Sequence, residues 1–272
     1  MIKLPDSRIT ALVATTTCLN LALFSGDSQA TGPAFDAGIH LIHHQISERA
    51  ASGARLVTET GWIPELEAGL NQNLPAGTLR AQLSWSDGTL DYNGHTQSGA
   101  GFVTQTDQRI LRSALTYAAP VTPTIEILLG WVHERRTRRI HGTGGVAGLD
   151  ESYRQQMASF GVRWLPHAAA NAFTARAELF TGISSAQGIS SPGLIDPVTV
   201  PGNGMWGTRL SARVPVGVLS GGTRAFIAPR LEYRHNARSD TRPFNTRGGL
   251  GGIVTQPETT RWLIGAGLEL AW

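Results

Sequence analysis

Nine arginines and six glutamates recur at alternate positions within short, otherwise apolar segments: Arg80, Arg112, Arg163, Arg176, Arg209, Arg213, Arg224, Arg230 and Arg261, with Glu65, Glu67, Glu126, Glu178, Glu232 and Glu269. In an extended chain, residues two apart share a face, so this spacing gathers guanidinium and carboxylate groups on one side of each segment. Planar guanidinium forks matched to carboxylates can interlock into a network that meets the hydrogen-bonding needs of both. The same excess of arginine would favour anions if the charged faces lined an open passage.

A second cluster is His133-Glu134-Arg135-Arg136-Thr137-Arg138-Arg139-Ile140-His141, ahead of a glycine-rich stretch, Gly142 to Gly148. Arg135, Arg136, Arg138 and Arg139 offer the fork geometry that grips phosphate. Hydrolytic chemistry would need an Asp/His pair within hydrogen-bond reach. The available residues are Asp87, Asp91, His95, His133, His141, Asp150, His235 and Asp240, and their spacing assigns none of them a catalytic role. Ser113, on an apolar face, is read as packing. His40, His43 and His44 invite a metal reading, but adjacent strand residues face opposite ways, so at most His40 and His44 share a face. The sequence therefore assigns no metal site and no cofactor.

The elements that must position these groups are strands. Leu79, Ala81, Leu83 and Trp85 alternate with Arg80, Gln82, Ser84 and Ser86; Ile125, Ile127, Leu129 and Trp131 alternate with Thr124, Glu126, Leu128 and Gly130. Further strands are read through Trp62 to Leu70, Leu111 to Tyr117, Ala158 to Trp164, Phe173 to Leu179, Trp206 to Val214, Ala225 to Tyr233, Trp262 to Trp272 and, less regularly, Gly38 to Ser47. The apolar face suits hydrocarbon and the charged face a polar lumen. Trp62, Trp85, Trp131, Trp164, Trp206, Trp262 and Trp272 fall at strand ends, where interfacial aromatic girdles sit. The spacing predicts an antiparallel, up-and-down transmembrane β-barrel of about ten strands, with eight or twelve if one hairpin is misread. Short links at 71–77, 118–124, 165–171 and 217–222 alternate with long polar stretches near 50–60, 87–107, 134–153, 182–204 and 235–258. These are read as periplasmic turns and external loops.

Residues 1–30 carry Lys3 and Arg8, an apolar run from 9 to 24, and Ser28-Gln29-Ala30, the pattern of a cleaved signal peptide. Its removal would leave a barrel domain, 31–272, without Cys18, the single cysteine, so no disulfide is expected. Net charge is only +3, which together with an export signal argues against nucleic acid. Beyond residue 30 nothing approaches the roughly 20 apolar residues of a membrane helix. Mean hydropathy is nearly neutral at −0.09, as alternating strands require.

In its signal segment, alternating strands and aromatic final strand, the chain resembles the outer-membrane β-barrel proteins of Gram-negative bacteria. The resemblance covers essentially the whole mature chain and identifies no functional family. It implies residence in the cell outer membrane and contact with outer-membrane lipids. Gly267-Leu268-Glu269-Leu270-Ala271-Trp272 is similar to the terminal signal read by the barrel assembly machinery, with tryptophan in place of the usual phenylalanine. Lipopolysaccharide becomes the natural phosphate partner of the four clustered arginines. The leading functional expectation is a surface-exposed anchor with a charge-filled lumen. The alternatives are a narrow, porin-like, anion-favouring pore and a hydrolase resembling the ten-stranded omptins, whose rim arrangement the Asp and His residues do not match closely enough to carry roles over. Oligomeric state is not legible.

Overall fold

The structure, a computed structural model, describes residues 32–95, 99–166, 172–191, 194–246 and 249–272. The expected signal segment lies outside the described residues. Thirteen antiparallel strands follow in order: β1 (Ala34–Arg49), β2 (Arg55–Leu74), β3 (Gly77–His95), β4 (Gly101–Thr122), β5 (Ile125–Ile140), β6 (Leu149–Trp164), β7 (Thr174–Ser191), β8 (Ile195–Pro201), β9 (Asn203–Val218), β10 (Arg224–Ala237), β11 (Arg242–Thr246), β12 (Gly249–Val254) and β13 (Glu258–Ala271).

Ten of these close a barrel. β1 to β7 pair in sequence, β7 pairs β9, then β10 and β13 follow, and β13 returns to β1. Every barrel strand therefore has two neighbours, which removes the unpaired edges that hydrocarbon would penalise. The remaining β8, β11 and β12 form a ribbon on the upper half of β7, where Gln187 registers with Val200 and Thr246 with Ile195.

Alternation decides the wall. On β13, Trp262, Ile264 and Leu268 are exposed, whereas Leu263 and Arg261 are buried. On β1, His40 and His44 face inward and His43 outward, its ring 5.1 Å from that of Trp62. All seven tryptophans are exposed on the outer wall. Trp62, Trp206 and Trp262 lie toward the loop end of their strands, Trp164 and Trp272 toward the end that carries the chain's C-terminus, and Trp85 and Trp131 nearer mid-strand.

The external stretches are much shorter than their polarity suggests. Strands β1 to β7 run 16 to 22 residues, against the 9 to 11 or so that span a bilayer. Most of 87–107 and 134–153 is consequently hydrogen-bonded strand that stands proud of the membrane, with non-strand residues, among those described, at 99–100 and 141–148. Beyond the girdle the outer face meets water instead of lipid. Charged residues then fall on both faces, as Arg135 and Arg136 do, and the two-residue alternation that marks a strand in sequence fades there.

Inside are three apolar clusters, the first near mid-barrel and the others toward the loop end: Val132, Met157, Phe180 and Met205; Ile46, Ile63 and Leu90; Val57, Tyr92, Phe102 and Ile140. The rest of the described interior is largely ionic.

Candidate functional site: a charge-filled lumen and a basic outer wall

The lumen groups form three tiers. At the C-terminal end, Arg80 holds Asp36 (2.7 Å), Arg213 holds Glu269 (2.7 Å), and Arg163 pairs with Glu126. Arg230 reaches Glu65 at 2.7 Å, and Arg176 lies against Glu178 at 2.5 Å. Arg224 also belongs to the inward face at this end, in register with Ala271.

The middle tier is a knot drawn from β4, β5, β9, β10 and β13. Arg112 and Arg234 each donate to Glu134 Oε2 at 2.8 Å, and Arg261 donates to Glu134 Oε1 at 3.0 Å. Glu232 accepts from Arg209 Nε at 2.7 Å and lies 2.5 Å from Arg234. Arg234 and Glu232 have no measurable exposure, and Arg112, Glu134, Arg209 and Arg261 are all buried. His44 sits beside this knot, its Nδ1 3.2 Å from Gln108. Several guanidinium nitrogens, including Arg209 Nη2, Arg234 Nη2 and Arg261 Nη2, are buried without a protein partner.

In the third tier, toward the loop end, one guanidinium serves three carboxylates. Arg138 donates to Glu48 at 2.7 Å, to Glu59 at 2.9 Å and to Glu151 at 2.6 Å. Thr106 donates to Glu59 at 2.7 Å, and Tyr153 to Glu151 at 2.8 Å. The Arg136 guanidinium lies 3.9 Å over the Tyr153 ring, a cation–π contact. Nearby, burial pushes the Tyr92 hydroxyl up to about 12 despite the opposing pull of Arg138.

The structure thus brings the fifteen lumen residues read from the sequence to the inward face and adds Asp36, Glu48, Glu59, Glu134, Arg136, Arg138, Glu151 and Arg234. On β5 it is strand register carried past the tryptophan, with no change of residue type, that places the added residues inside. After Trp131, β5 continues with Val132, Glu134, Arg136, Arg138 and Ile140 buried, and Arg135, Thr137 and Arg139 exposed.

This corrects the four-arginine phosphate cluster. Arg136 and Arg138 are committed to the lumen, because strand geometry sends neighbours to opposite faces. On the outer wall Arg139 pairs with Asp150 at 3.0 Å and Arg109 with Asp87 at 2.8 Å. Arg135 stands directly opposite Arg154 of β6. Both are exposed, and neither has an acidic partner among the described residues. A shallow hollow lined by Arg135, Thr137, Ser152, Arg154 and Thr199 lies at this pair.

The rim residues do not converge. Asp91 and His95 are exposed on the outward face of β3, His133 stacks on Trp131 with ring centroids 6.0 Å apart, and Asp240 meets Asn203 at 3.4 Å. His235 lies 3.9 Å from Glu258. Asp107, absent from the rim candidates above, lies 2.8 Å from His141 Nε2 and accepts from Thr89 at 3.0 Å. Those two bonds, His141 first, hold its carboxyl below the usual carboxylate range. The pair faces outward from β4, between the inward-facing Thr106 and Gln108.

No protein-family pattern and no curated protein matches the chain in sequence. Its fold is similar to solved outer-membrane barrels. One is the outer membrane protease OmpT from Escherichia coli, with a TM-score of 0.54 and 9% identity over 90% of this chain and 99% of that one. Another is the translocator domain of the autotransporter NalP from Neisseria meningitidis, with a TM-score of 0.43 and 12% identity over 89% of each chain. Neisserial surface protein A also matches, at 0.37 and 11%, over 89% of this chain and 98% of that one. The closed ten-stranded barrel, its apolar girdled wall and its charged interior define an integral β-barrel protein of the bacterial outer membrane.

Proposed function

We propose that this protein is a surface-exposed barrel that binds the phosphate groups of lipopolysaccharide on its outer wall, while its charge-filled lumen acts as a rigid, non-conducting support. The carrying observation is the pair Arg135 and Arg154. Like charges directly opposite on one face of a sheet destabilise it, and this pair has no carboxylate among the described residues to offset the repulsion. A bridging phosphate would turn that repulsion into two charge-assisted contacts. Arg135 lies four residues beyond Trp131 on the same strand, the level at which a headgroup phosphate meets a girdled barrel.

The test is titration of the refolded barrel in detergent with phosphorylated and with dephosphorylated lipid A. At about 1 kcal/mol per arginine near a charged membrane surface, R135Q/R154Q is expected to weaken binding of the phosphorylated form by about thirtyfold and to leave the other unchanged. Equal binding of both lipids, or an unaffected double variant, overturns the reading. The proteolysis in OmpT's name finds no support here, since the hydrogen-bonded Asp107 and His141 face away from the lumen.

A further inference from the structure

We propose that His40, Glu67 and Glu269 form a binding site for a first-row divalent transition metal, zinc foremost, at the C-terminal end of the lumen. The three ligands come from three adjacent strands. Gly38 of β1 registers with Glu67 of β2 on one side and with Glu269 of β13 on the other, and His40 stands two residues further along the same face. One ligand atom from each group lies within 4.8 Å of the others. Ligand atoms around a tetrahedral ion sit about 3.4 Å apart, so two flexible glutamates need to close by roughly 1 Å.

Two further observations point to a ligand. His40 is 3% exposed, and both of its ring nitrogens are buried without a hydrogen-bond partner. The nearest carboxylate oxygen, Glu269 Oε1, is 3.8 Å away, too far for a hydrogen bond. A buried imidazole normally has at least one nitrogen satisfied. Glycines also hold the space open. A Cβ on Gly267 would lie 2.4 Å from His40 Nδ1, and one on Gly38 would meet Glu269 Cγ at 2.9 Å and His40 Nε2 at 3.0 Å.

The charge count permits a cation despite the surrounding arginines. Asp36, Glu65 and Glu269 are each matched to Arg80, Arg230 and Arg213 at 2.7 Å. Glu67 is left over, with guanidinium contacts no shorter than 3.5 and 3.9 Å. Of the other cations on the adjoining cavity, Arg163 and Arg176 pair with Glu126 and Glu178, and Arg209 with Glu232, which it shares with Arg112 and Arg234. Glu269 binds Arg213 through Oε2 and keeps Oε1 toward His40. One imidazole with two carboxylates suits zinc or manganese and disfavours the all-oxygen preference of magnesium and calcium. Three protein ligands leave a fourth position facing the cavity. Spacing along β1 alone offers His44 as the companion of His40, whereas these ligands lie across the neighbouring strands.

The test is equilibrium dialysis of the refolded, chelator-stripped full chain against Zn2+ alone, with bound metal measured by atomic emission. One saturable zinc per barrel is expected, weakened about tenfold or more in both H40A and E67Q and unchanged in D87N, which alters only an outer-wall pair. Heat-shifted gel migration verifies that each variant folds. Should both variants fail to fold, the zinc K-edge spectrum of the wild type decides through the presence or absence of an imidazole in the first coordination shell. No saturable binding, binding equal in H40A, E67Q and wild type, or a wild-type spectrum without imidazole overturns the site.

Discussion

Glu134 takes guanidinium hydrogen bonds from three strands at once, through Arg112, Arg234 and Arg261. Removing one member of a buried ionic group leaves the others uncompensated, which costs about 3–5 kcal/mol. E134Q keeps the volume and deletes the charge, so the urea midpoint of the refolded barrel is expected to fall by that equivalent. R109A, which breaks an outer-wall pair whose arginine side chain is 63% exposed, is expected to cost no more than about 1 kcal/mol. Similar losses for the two would mean that the lumen network does not carry stability. Tyr92 supplies a pH test on the same scale. Its folded pKa, about 12, is raised above the ordinary 10.0, because burial favours the neutral hydroxyl. The stability linked to it is therefore complete below about pH 10 and is lost as pH rises through 12. Absorbance at the phenolate wavelength is expected to show a wild-type phase near pH 12 that is missing in Y92F. A Y92F difference confined to pH 10 would refute the burial.

At the scale of the strand, close approach across the wall limits side-chain size. Gly265 of β13 registers with Ile42, and a Cβ there would lie 2.3 Å from the Leu41 carbonyl oxygen and 2.9 Å from Ile42 Cα. Backbone cannot yield as a side-chain tip can, so G265A is expected to destabilise the barrel by about 1–3 kcal/mol. G101A, where a Cβ meets nothing within 4 Å, should stay within about 0.5 kcal/mol. Equal unfolding midpoints for the two variants would contradict the close β1–β13 packing. Strand identity is legible in the sequence wherever lipid faces one side, because hydrocarbon forces Leu79, Ala81 and Leu83 to alternate with the polar Arg80, Gln82 and Ser84. It is not legible above the girdle, where Arg135 and Arg139 are as polar as Arg136 and Arg138 and only register separates wall from lumen. The same limit hides Glu59 and Arg234, and Asp36 is hidden by its place near the start of β1, the least regular strand. The His40 cluster is invisible for another reason: Glu67 follows His40 by 27 residues and Glu269 follows Glu67 by 202, and only closure of β13 on β1 joins them.

For the whole molecule, the question is whether the barrel conducts. An arginine-rich face by itself suits either an anion passage or a plug, and the choice rests on how the faces meet. Ten strands leave a narrow interior, and the middle tier crosses it: Arg112 of β4 reaches both Glu134 of β5 and Glu232 of β10. Current would have to pass through six buried charged residues, Arg112, Glu134, Arg209, Glu232, Arg234 and Arg261. The unpartnered nitrogens on Arg209, Arg234 and Arg261 suit single waters held between ionic groups and do not by themselves make a continuous column. A planar bilayer containing the refolded protein under a salt gradient is therefore expected to stay silent, and R112S/E134S/E232S, if folded, to admit current by thinning the knot. Steady steps from the wild type, with a reversal potential displaced toward anions, would reverse the assignment. The tiers would then be the lining of a selective pore, and the outer-wall arginines would lose their claim to the main function.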